Sequence, residues 1–315
     1  MGINMVSGLV LAVVFPSFIL PYMGVDQGRW IKAMAVISLF AVAGTLIQYY
    51  FTKERVTEET QDQNMTASRN VSLRDQMKGC FSSKYWVITV VIIAVQFICT
   101  TGVGVNSMPY YAYWAVGTYN DCQTLSLLNI IGQAMLGPGV LIMWPLVRKI
   151  GKQKVFIIGG IIAAMGGFLG MLFATDLKMA LVALTIRSIG ALPYTYVLLS
   201  LLADALDHVE WKCGYRCDGF SSSVYSIMMT VSSGIGIGLI NLGLTATGYI
   251  PPAADGTWVM QGQAVRDFLT FGTFGLPAVG TVINTILFFM FDLEKKLPGI
   301  HKDLAAKRAD QSLSS

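Results

Sequence analysis

Four carboxylates, a lysine, an arginine and a histidine fall between Asp204 and Asp218, in a chain with only 13% charged residues. Asp204, Asp207 and Glu210 recur every third residue, so on a helix they share one face. Lys212 and Arg216 follow four apart, and Asp218 closes the run. Side chains of these types at this spacing can bridge to basic loops on a facing structural unit. Such ion pairs hold one conformation and release in another, as a bistable element requires. Gly214 and Gly219 allow a turn and the start of a next helix. The plainer reading is a solvated loop with helix-end charges. Cys213-x-x-x-Cys217 beside His208 raises a metal site, but that spacing fits no common closed zinc set and no fourth ligand lies nearby.

The elements around this knot belong to a membrane protein. The chain is 54% hydrophobic with 32 glycines, and its charged fraction is about half that of a soluble chain. Five cysteines in 315 residues form no disulfide framework. No cleavable signal peptide is evident, since the first apolar run lacks a basic leader. Eight apolar stretches approach the ~20 residues that cross a bilayer. They are Ile3–Met23, Trp30–Phe51, Tyr85–Val116, Leu125–Val147, Val155–Ala174, Met179–Leu202, Phe220–Thr245 and Phe268–Phe291. Within the third, Met108-Pro109-Tyr110-Tyr111 marks a bend or the membrane surface.

Orientation follows from the basic residues. With the polar segment Thr52–Lys84 placed in the cytoplasm, the inner side holds all 22 lysines and arginines except five. Arg29, Lys32, Lys178 and Arg266 fall outside, and Arg187 falls within a span. This is a strong positive-inside asymmetry. It puts the knot and the C-terminus in the cytoplasm, where the sequons at Asn64 and Asn70 escape glycosylation. The expected organisation is residues 1–51 as two helices ending one half, 52–84 as the inter-half loop, 85–291 as a six-helix half, and 292–315 as a tail. Six-span halves joined by a long inner loop are the plan of major facilitator transporters. On that plan four further spans are expected upstream of this sequence, encoded in the same gene or in a neighbouring one.

The knot also carries a family resemblance. Asp204-x-x-Asp207-x-x-Glu210-Trp211-Lys212-x-Gly214-x-Arg216-x-Asp218-Gly219 resembles the D-x-x-D-Y-G-E-W-K-T-G-x-R-x-E-G signature of the glycoside-pentoside-hexuronide:cation symporters. His208, Val209, Cys213 and Asp218 replace that pattern's Tyr, Gly, Thr and Glu. Tyr110-Tyr111-x-Tyr113-x-x-x-Gly117 is similar, with one extra residue, to the end of the family's seventh helix. Arg148-Lys149-Ile150-Gly151-Lys152-Gln153-Lys154 resembles its basic loop between helices eight and nine. The resemblance implies an all-α major facilitator bundle of eight transmembrane helices, corresponding to helices five to twelve. It implies symport of a sugar or sugar acid with sodium or a proton in a bacterial inner membrane, with no other cofactor. The expected partners are the small-molecule substrate, membrane lipid and an upstream fragment carrying the missing helices, with no nucleic acid.

For the substrate site, the resemblance puts Tyr225 and Ser226 where melibiose-type members place polar sugar-site residues. Thr230 stands where those members have a coupling lysine, and Thr195 where they have a sugar-stacking tryptophan. Tyr194 and Asn106 complete the candidate set, with helix packing as the alternative for each. Asn129, Gln133, Asn241 and Asn284 are interhelical hydrogen-bond partners or substrate contacts. Arg187 either snorkels to the outer surface or lines an aqueous cavity. Asp204, Asp207, Glu210, Lys212, Arg216 and Asp218 become gating residues. The family's cation-site acids lie mainly on helices one to five. Asp26, Asp121, Asp176, Asp255 and Asp267 all fall in outer loops here, so the last eight helices leave the coupling ion undefined. A membrane enzyme fits poorly, because the only histidines, His208 and His301, are both cytoplasmic. A non-transporting membrane scaffold or binding protein is the remaining alternative.

Overall fold

The computed structural model describes Ile19 and residues 27–51, 71–117, 122–253 and 257–314. Regular structure among the described residues is entirely helical. Helix α1 (Gln27–Phe51) buries none of its side chains. The short α2 (Leu73–Ser82) precedes α3 (Lys84–Gln96), and Ser72 and Ser83 cap their N-termini through their hydroxyls. The first long span continues through π1 (Phe97–Val105), α4 (Asn106–Tyr111) and π2 (Ala112–Val116). Pro109 cannot donate to the carbonyl of Val105, where π1 ends, so the predicted bend takes the form of π turns on either side of α4.

Next come α5 (Cys122–Ala134), α6 (Leu136–Ile150), α7 (Lys152–Leu172), α8 (Leu177–Tyr196), α9 (Leu198–Cys213) and α10 (Asp218–Ala246). The last span is α11 (Gln263–Thr270), π3 (Phe271–Gly275) and α12 (Leu276–Phe289), followed by the terminal α13 (Leu293–Ser314). Among the described residues six stretches are long and apolar enough to cross a membrane, where eight were expected over the whole sequence. Ile3–Met23 lies, but for Ile19, outside the described residues. Leu125–Val147 is two shorter helices parted at Met135, because Pro138 lacks the N–H a continuous helix would use there but costs nothing in a new first turn. The long span Leu177–Cys213 breaks at Val197, one turn after Pro193. At about 1.5 Å per residue that span exceeds the hydrocarbon thickness, so the α9 end carrying the knot projects beyond it.

Packing relies on small residues, as it must where lipid removes the hydrophobic driving force between helices. α7 lies along both α8 and α12, and α10 crosses π1. At that crossing a Cβ on Gly236 would overlap the backbone of Gly102. Buried side chains form two principal clusters. One, at the knot end, gathers Tyr85, Trp86, Phe156, Phe288 and Phe291. The other gathers Tyr111, Trp114, Leu184 and Phe274.

Candidate functional site

The knot is built from α9 and the first turn of α10. Gly214, at φ 79°, ends α9 in the left-handed conformation and turns the chain so that Arg216 folds back along the helix. Arg216 Nη1 donates to Asp207 Oδ1 at 2.6 Å and Glu210 Oε2 at 3.2 Å, while Nε donates to Asp218 Oδ2 at 2.7 Å. Burial disfavours the guanidinium charge, but the hydrogen bonds to Asp218 and Asp207 outweigh it and hold the pKa above arginine's ordinary value. Asp207 also meets His301 Nε2 at 3.0 Å, which brings in α13. Asp204 faces α7, where Lys152 Nζ donates to it at 2.6 Å.

Lys212 donates to the carbonyl of Ser82 at 2.6 Å, closing the C-terminal end of α2. Among the described residues, Lys212 bonds to α2 and Arg216 folds back at Gly214 onto carboxylates of its own helix and the start of α10.

Sequence reasoning missed several members of this assembly. Glu294 accepts from the backbone N–H groups of Lys152 and Gln153 at 2.8 and 2.9 Å, capping the N-terminus of α7 from the terminal helix. Gly151 makes room for it, since a Cβ there would sit 2.8 Å from Glu294 Oε1. Tyr85 donates to Asp292 Oδ1 at 2.6 Å and accepts from Lys296 Nζ at 2.9 Å. The Tyr85 hydrogen bond, then that of Lys296, holds the Asp292 carboxyl well below the usual carboxylate range. The Asp292–Lys296 spacing of four, an ion pair at 3.0 Å, was the available signal.

Trp211 Nε1 donates to Asp303 at 2.9 Å. The groups that raised a metal site diverge: His208 Nδ1 pairs with Ser83 Oγ at 2.9 Å, and Cys213 lies against Ser82. Cys217 adjoins Cys80, and burial first, then that neighbouring thiol, pushes the Cys217 thiol up to about 12.

The substrate candidates separate. On α10, Ser221, Ser232, Gly236, Ile240 and Leu244 are buried. Ser222, Ser226 and Thr230 form an exposed polar stripe that resumes beyond the exposed Ile237 with Asn241 and Thr245, and Ile227, Val231, Ile235 and Leu242 form an exposed apolar one. A membrane-crossing helix exposes polar groups to water or to a polar partner rather than to hydrocarbon. Thr230 donates to the carbonyl of Ser226 at 3.0 Å, so its lone pairs stay available outward. Tyr225, half-buried, packs edge-on against Phe97 with ring centroids 5.4 Å apart. Thr195 is exposed on α8, whose main partner is α7, whereas α10 packs on π1.

Two candidates make contacts within the protein. Tyr194 is 4% exposed, edge-on to Phe156, and belongs to the aromatic core. Asn106 turns its Nδ2 back to the Gly102 carbonyl at 2.7 Å. Asn284, also buried, donates to Gln96 Oε1 at 3.4 Å and so joins α12 to α3. Arg187 is partly exposed. Its guanidinium donates to the Thr273 carbonyl inside π3 and lies 5.6 Å from the Phe274 ring centroid, joining α8 to the last span.

Comparison with known proteins places this geometry. The profile of the family described as MFS/sugar transport protein matches residues 1–295. The isoprimeverose transporter of Lactiplantibacillus pentosus is 23% identical over 285 residues, covering 90% of this chain and 56% of the relative. A putative sulfoquinovose importer of Salmonella typhimurium is 24% identical over 217 residues, 69% of this chain and 45% of its own. A glucuronide carrier protein homolog of Escherichia coli is 27% identical over 220 residues, 67% and 45% respectively. The chain spans about half the length of the curated relatives it matches.

Proposed function

The chain belongs to the MFS/sugar transport protein family, and from that premise we propose that it carries a sugar or sugar acid across a bacterial inner membrane by cation-coupled symport. The observation that carries the reading is the exposed polar stripe on α10, with Ser226 and Thr230 at its centre and Tyr225 beside it. Hydroxyls bond sugar hydroxyls, and an aromatic edge covers the sugar's apolar face. The named substrates of the relatives, isoprimeverose, sulfoquinovose and glucuronide, all belong to this chemical class. Thr195 contributes from α8 once substrate draws the cavity together. The coupling ion is sodium or a proton, and the knot end faces the cytoplasm.

In this reading the ion pairs of Asp204, Asp207, Glu210, Arg216 and Asp218 do not open and close singly. Together with Glu294 they fasten the ends of α7, α9, α10 and α13 into one plate. Alternating access then moves that plate as a rigid body against the rest of the transporter. Uptake of radiolabelled isoprimeverose, glucuronide and sulfoquinovose into vesicles holding the chain together with the expected upstream helices tests the proposal. Uptake is expected with an imposed inward sodium or proton gradient, collapsing when an ionophore dissipates it. A chain that binds these sugars but accumulates none under either gradient would be a binding scaffold instead.

A further inference from the structure

Helix α2 sorts its side chains into four arcs. At about 100° per residue, Leu73, Met77 and Phe81 stack on one side. These three remain 65%, 42% and 60% exposed although all are large and apolar. Arg74 and Lys78 occupy the next arc and are exposed. Asp75 and Ser82 come next, also exposed. Gly79, Cys80 and Gln76 complete the turn and face the protein. Gly79 and Cys80 are buried, with the Tyr215 hydroxyl 2.8 Å from where a Gly79 Cβ would sit. Tyr215 also donates to the Asp75 carbonyl at 2.8 Å, and Cys217 Sγ to that of Gln76 at 3.9 Å.

We propose that α2 is an interfacial anchor whose Leu73–Met77–Phe81 stripe enters the adjacent bilayer leaflet while Arg74 and Lys78 hold its anionic phospholipid headgroups. The order of the arcs supports lipid over other occupants. A helix lying in the membrane plane beside its protein meets protein, hydrocarbon, headgroups and water in turn, and α2 presents matching groups in that sequence. Its position agrees, since α2 ends two residues before the span that begins at Lys84. Protein covering the stripe would give no reason for a basic border, whereas an anionic surface attracts each lysine or arginine near it. The inference rests on the membrane-spanning reading of the family but not on transport, so a failed uptake assay leaves it standing.

Met77→Trp in the full chain, reconstituted in vesicles of phosphatidylethanolamine and phosphatidylglycerol, supplies the test. The fluorescence added over the parent's six tryptophans is quenched by lipids brominated on their acyl chains or by aqueous acrylamide. Quenching by brominated lipid about fivefold stronger than for the water-facing control Asp75→Trp is expected. Quenching by acrylamide alone would place the stripe in solvent, and quenching by neither would place it under protein; either result overturns the anchor. Leu73→Trp repeats the measurement should Met77→Trp fold poorly. Arg74→Glu with Lys78→Glu should cut lipid quenching severalfold in phosphatidylglycerol but not in phosphatidylcholine. Equal quenching in both lipids for parent and double variant would overturn the headgroup assignment.

Discussion

At the residue scale, the distinction that matters is between charge and fork. Arg216 bonds three carboxylates through two of its nitrogens, which an ammonium cannot reproduce with the same planarity. Arg216→Lys keeps the charge yet should lower stability by about 1–3 kcal/mol, read as a fall in melting temperature of the detergent-solubilised chain. Asp292 offers a pH test. Its carboxyl is held low in the fold by Tyr85 and Lys296, so its contribution is present above the unfolded value of about 4 and fades as pH falls below that. Asp292→Asn should therefore flatten the loss of melting temperature between about pH 4 and pH 2.5. The acid run was legible in the sequence because its spacing matches a helical face. Its partners were not, because Lys152 and His301 lie 52 and 94 residues from theirs.

At the element scale, the helices cross on glycines, and the crossing of α10 with π1 is the most sensitive. Gly236→Ala puts a methyl into the backbone of Gly102, where no side chain can rotate away. A loss of roughly 1–3 kcal/mol is expected, together with reduced yield of folded protein; unchanged melting would mean the crossing is looser than described. Gly234, Gly236 and Gly238 alternate along α10 at this crossing. The structure assigns that contact to Gly236, since nothing lies within 4 Å of a Cβ at Gly234 or Gly238. The π turn π3 was not legible. It adjoins contacts set by neighbours, with Arg187 bonding a carbonyl inside π3 and Ser107 meeting Thr273 of π3 at 3.0 Å.

At the scale of the whole molecule, the proposed function assigns substrate handling to the exposed stripe of α10 and conformational change to the plate at the knot end. Ser226→Leu with Thr230→Leu should raise the KM for sugar uptake at least about tenfold, since two ligand hydrogen bonds are lost, with little change in melting temperature. A fall in melting temperature with KM unmoved would assign both hydroxyls to packing. Composition and span periodicity determined by themselves that this is a multi-pass membrane protein, and the resemblance of Asp204–Gly219 to a known signature pointed to a sugar-transport family. Those signals are local or statistical, and survive without knowledge of what touches what. Only the tertiary structure decided that Tyr194 packs in the aromatic core, that Asn106 and Arg187 bond backbone carbonyls, and that Lys212 bonds α2 while Arg216 folds back on its own helix. Whether a polar group meets ligand, water or a neighbouring carbonyl depends on distances across helices. Helical spacing sets the face a side chain leaves from, and the packed bundle sets what it meets.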